Sequence, residues 1–193
     1  MIMKSKKLIV PVIALMVSAV ALAGVVYAAT TTVSNNGSAS TDYYAIDLFN
    51  DGAGSELTTS AYQITGIHIY TQKVVGDHIA VLSEGGPVTL GYVAVFNDSN
   101  EPVENPTISV GTTVTAGDFS GTTGTMTKNV NGVVITVTIG VGAAVNGYCP
   151  ITASVSCSGN SSVSPASAQV AAANVSAALD ALTFTMTFSS TSA

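Results

Sequence analysis

Two cysteines, two histidines and eleven acids carry most of the chemistry open to this 193-residue chain. His68 stands between Ile67 and Ile69 in an alternating run, so it points away from the isoleucines, toward the polar side of a strand. His78 follows the turn Gly76-Asp77 and opens a short strand. No Gly-x-Ser-x-Gly elbow, His-Glu-x-x-His pair or phosphate-binding glycine loop accompanies them. Asp98, Glu101 and Glu104 share one loop, and Asp47 and Asp51 lie at a strand end. Such oxygens can hold Ca²⁺, but without EF-hand spacing they read as solvated turn acids. The chain has no Arg, which disfavours phosphate or carboxylate substrates. No catalytic residue, metal site or cofactor is expected, and the chain reads as a non-enzyme.

Cys149 and Cys157 would pair as a disulfide if the protein is exported, closing a small loop over Pro150–Ser156. A loop this short is worth roughly 2–3 kcal/mol in the chain-entropy account. Four Asn-x-Ser/Thr sequons, at Asn36, Asn97, Asn160 and Asn174, are candidate glycan acceptors. Asn36 and Asn97 look like loop positions and are the preferred pair.

Export is written at the N-terminus. Lys4, Lys6 and Lys7 precede an uncharged run from Leu8 to Ala29, and Val26-Tyr27-Ala28 places small residues where a signal peptidase reads them. Cleavage between Ala28 and Ala29 is the first reading. The run is also long enough to span a bilayer, so a retained anchor and a leader cut after Lys7 stay open. Removing the basic end leaves two lysines against eleven acids. That balance excludes nucleic acid and anionic membranes as partners. Membrane contact is expected only through an uncleaved N-terminal segment.

The remainder reads as short strands separated by Gly, Asn and Asp turns. Tyr43–Phe49, Ile64–Thr71, His78–Leu82, Val88–Phe96 and Thr107–Val110 are strand candidates. Asn131-Gly132 joins Thr125–Lys128 to Val133–Ile139 as a hairpin. Leu182–Phe188 alternates large apolar residues with Thr. Ser164-Pro165 starts one helix, over Ala166–Leu179, with Val170, Val175 and Leu179 on a stripe. The expected fold is all-β, a jelly roll or β-sandwich over residues 42–193 with one short late helix. Residues 1–28 form the signal segment and residues 29–41 an extended arm, uncharged before Asp42. An arm of this kind can add a strand to a neighbour's sheet. A head-to-tail contact that does not close then propagates as a filament.

These features resemble the TasA/camelysin group of secreted fibre proteins and their archaeal bundling-pilus relatives. The resemblance is carried by the Lys-rich signal ending at Val26-Tyr27-Ala28, by Tyr43–Leu48, by Gly91–Asp98 with Pro106–Val110, and by Thr183–Phe188. It implies a jelly-roll subunit that polymerises by donor-strand complementation and supports biofilm or cell–cell contact. Thr30, Thr31, Thr32 and Val33 would then be donor-arm residues. The partner would be another copy of the chain, with neighbouring filaments or a cell surface beyond it. Leu8–Leu15 is similar to the start of archaeal type IV pilins, which offers a second reading with the apolar helix retained. A monomeric surface-anchored binding module is the third.

Overall fold

The computed structural model describes residues 25–33, 45–55, 57, 61–74, 78–97, 99–159, 161–162 and 164–191. Period-two alternation writes the strands. In the last of them, Phe184, Met186 and Phe188 are buried, while Thr185 and Thr187 on the other face are half-buried. In chain order the elements are β1 (Val25–Val33), β2 (Ala45–Phe49), β3 (Ala61–Lys73), β4 (Ile79–Glu84), β5 (Val88–Phe96) and β6 (Thr107–Ala116). They continue with β7 (Thr125–Val130), β8 (Val133–Val141), β9 (Tyr148–Gly159), β10 (Ser161–Ser162), α1 (Pro165–Asp180) and β11 (Thr183–Thr191).

Two sheets face each other. One has the order β10-β4-β3-β1-β11-β6, the other β2-β5-β9-β8-β7. Every pairing is antiparallel except that of β1 with β11. The core lies between the sheets, with Ile64, Ile67, Ile69 and Phe184 from the first meeting Val93, Ile135, Val137 and Ile151 from the second. Burying each of these side chains contributes about 1.5–3 kcal/mol.

Local rules fix several details. Asn131 and Gly132 both take positive φ, 53° and 82°, which is the two-residue turn expected between β7 and β8. In β3 the buried residues Ile64 and Ile67 are three apart, not two. Gly66 at φ 76° absorbs the extra residue as a bulge, and the β1–β3 register shifts at the same place.

The helix begins as its sequence directs. Ser164 caps it, its Oγ accepting the Ser167 N–H at 3.4 Å, and Pro165 occupies the first turn. The buried face is set by Ala168, Ala171, Val175 and Leu179. Val170, expected on that stripe, is 59% exposed instead. The real stripe is built mostly from alanine, whose small side chain lets the helix backbone lie close to β1 and β3.

Thr112 stands out in the interior of the described residues. Its residue is 2% exposed, and its Oγ1 finds no hydrogen-bond partner among the described residues. Burying a hydroxyl without a partner costs about 1–3 kcal/mol. Thr112→Val keeps the shape and removes that cost, so it should raise the thermal midpoint by a few degrees. A scan showing a lower midpoint would mean that the hydroxyl is satisfied in solution.

Candidate functional site

The segment Thr30-Thr31-Thr32-Val33 is β-branched throughout, a composition that favours extended chain. The structure places it inside a sheet. β1 lies between β3, which it meets antiparallel, and β11, which it meets parallel. Thr30, Thr31, Thr32 and Val33 pair with Thr183, Phe184, Thr185 and Met186 on one side. Thr30, Thr31 and Thr32 pair with Gln63, Tyr62 and Ala61 on the other. All four donor-arm candidates therefore occupy one slot.

The two walls of this slot are not neighbours of each other in the sheet order. Taking β1 away would leave a raw edge on each. The walls also belong to the core, since Ile64, Ile67, Phe184 and Met186 are all 0% exposed. Strand edges over a core demand a partner, because every unmet N–H and C=O there is costly.

No family model, no curated protein and no solved structure matches this chain.

β1 crosses the expected cleavage point. Upstream of it, Val25, Val26 and Tyr27 pair with Ile69, His68 and Ile67 of β3, and β11 offers them no pairing. Downstream, Thr30, Thr31 and Thr32 are paired on both sides. Val25–Ala28 is strand here, so a helix running through the whole of Leu8–Ala28 does not describe its last four residues. Among the described residues, no helix is long and apolar enough to cross a membrane.

The expected disulfide is corrected. Cys149 and Cys157 are both free, and both lie on β9. Eight residues of extended strand separate their Cα atoms by about 26 Å, whereas a disulfide needs less than about 7 Å. The stretch between them is no loop. Cys149, Ile151, Ala153, Val155 and Cys157 alternate inward and are buried, so both thiols are part of the apolar interior. That alternation was present in the sequence and was masked by Pro150 and the serines.

Burial pushes the Cys157 thiol up to about 11, against a weaker opposing pull from Ser83. Ser83 Oγ accepts the Cys157 N–H at 3.1 Å and donates to the Val155 carbonyl at 3.1 Å, which ties β4 to β9 across the two sheets. The unfolded thiol ionises near 9. The stability from keeping it neutral is full below that pH and is lost as pH rises to about 11. A urea midpoint that falls across this window, and falls less in Cys157→Val, is the expected result. A thiol reagent at neutral pH should label neither cysteine until the protein unfolds.

The remaining candidates are dispersed. His68 stacks on Tyr70 with ring centroids 6.1 Å apart, on the face opposite the isoleucines. His78 opens the approach to β4, its carbonyl accepting the Val74 N–H. Asp51 is held below its usual value, first by the Ser55 hydroxyl, then by the backbone N–H groups of Ser55 and Ala53. Among the described residues, no three His, Cys, Asp or Glu side chains gather as a metal site.

Of the sequons, Asn97 is in the loop expected, its Oδ1 accepting the N–H groups of Ser99 and Glu101. Asn174 is exposed on α1, but the Ser176 of its sequon is buried and donates to the Ala172 carbonyl. Asn36 and Asn160 lie outside the described residues. A hollow of about 460 Å³ lies by the helix N-terminus, and among the described residues its lining, which includes Ile79, Val81, Ala168, Val170 and Ala171, carries no titratable side chain.

Proposed function

We propose that this protein is a secreted structural subunit that polymerises outside the cell by strand exchange, each copy lending its arm to the next. The observation that carries this reading is the slot between β3 and β11. The segment that fills it is the one that directly follows the expected signal cleavage. A strand at the end of a chain can be supplied equally well by the same copy or by another, because main-chain pairing does not depend on connectivity. Supplied by another copy, it makes a head-to-tail contact that does not close on itself.

Other features support the reading. The acidic, Arg-free body suits an exported surface. The outward faces of the sheets carry Thr and Ser, such as Thr136 and Thr138 on β8 and Ser154 and Ser156 on β9. The resemblance to secreted fibre proteins and archaeal bundling pili supplies the finer description: a jelly-roll subunit serving biofilm or cell–cell contact, with glycans on exposed sequons. Its partners are copies of itself and neighbouring filaments.

The test is N-terminal mass spectrometry on protein released from the cell surface without heating, combined with light scattering. A start at Ala29 in particles of many subunits is the expected result. A monomer, or a start at Leu8 with the apolar segment retained, would overturn this reading.

A further inference from the structure

We propose that residues 25–28 act as a latch, so that the uncut chain keeps its own arm in its own slot and signal removal releases it for exchange. This rests on the strand-exchange reading above and adds a control to it.

The latch is visible in the register. Of the seven β1 residues that pair with β3, three lie before the Ala28–Ala29 bond: Val25, Val26 and Tyr27. They hold on to Ile69, His68 and Ile67, the part of β3 beyond its bulge. β3 is anchored there from the other side, where His68 and Ile69 pair with Glu84 and Ser83 of β4. The latch therefore grips a strand that is already fixed. The four pairings with β11 all lie after the bond.

Hydrolysis changes both sides of this balance. Water adds across the Ala28–Ala29 amide, leaving a carboxylate on Ala28 and an amine on Ala29. The three upstream pairings are then no longer tethered to the arm. The new amine, largely an ammonium near neutral pH, arises opposite Ile64, which is 0% exposed. A charge created beside buried apolar surface is costly and favours opening of the strand end. The same cut uncovers the β3 edge at Ile67–Ile69, which invites a strand from elsewhere. An arm that was self-held becomes an arm that can leave, and the slot it leaves accepts a second copy.

The experiment compares the uncut precursor, purified from membranes in mild detergent, with the same sample after addition of signal peptidase. Hydrogen exchange at Thr30–Val33 and particle mass are read before and after. The precursor should be monomeric with a protected arm. After the cut, exchange at these four residues should accelerate about tenfold or more, as expected when a local opening loses a share of its bonds, and high-mass particles should follow. Val26→Pro, which breaks the latch without a cut, should accelerate exchange at Thr30–Val33 in the intact precursor.

Unchanged protection after the cut, or failure of the peptidase to cut after Ala28, would overturn the latch. A precursor that polymerises as fast as the processed chain would overturn it too, while leaving strand exchange standing. An arm that loosens on cutting without any polymer forming would support the latch and overturn the filament reading.

Discussion

Thr31→Pro should shorten the polymers sharply while a Thr31→Val control assembles normally. Thr31 is paired on both sides, with Phe184 of β11 and Tyr62 of β3. Proline has no N–H to give to either wall, and its ring does not fit a strand flanked on both sides. A backbone acceptor left unmet over the core costs about 1–3 kcal/mol, and each 1.4 kcal/mol is tenfold in an equilibrium. The subunit contact repeats along the filament, so a loss of about tenfold or more at each one shortens every polymer. Valine keeps the N–H and the β-branched shape. Sedimentation of processed protein at matched concentration reads the outcome. Equal polymer yield from the proline variant would show that the arm is not the joining element.

Phe184→Ala should remove a large share of the stability of the fold. Phe184 is 0% exposed on β11, opposite Val114 of β6, and forms part of the central cluster. Truncating a buried phenylalanine typically removes about 3–5 kcal/mol, by lost transfer energy and by the cavity left behind. Domains of this size are stable by only about 5–15 kcal/mol. Thr185→Ala, one residue on and on the opposite face, should cost far less, because the side chain there is only half-buried. Urea denaturation of both variants gives the comparison. Similar midpoints would mean that β11 does not bury alternate residues as this register requires. The Phe184 variant should also bind an arm poorly, since its strand forms one wall of the slot.

The sequence by itself determined the elements whose signals are local. The Asn131-Gly132 hairpin, the Ser164-Pro165 helix start and the Thr-Phe-Thr-Met alternation of β11 each state a backbone preference within a few residues. Those preferences hold in the fold. The all-β class follows from them, because alternating β-branched strands bury one face only against another sheet. Tertiary structure decided what depends on partners distant in the chain. The alternation of β9 was hidden behind Pro150 and the serines, and its cysteines invited a disulfide that only the common strand rules out. The bulge at Gly66 could not be placed without β1 beside it. The slot itself is the clearest case. Thr30–Val33 announces an extended strand, but its walls come from residues 61–63 and 183–186. Strand pairing joins residues far apart in sequence through backbone groups that all residues share. No local pattern can therefore name the partner, and only closure of the core selects it.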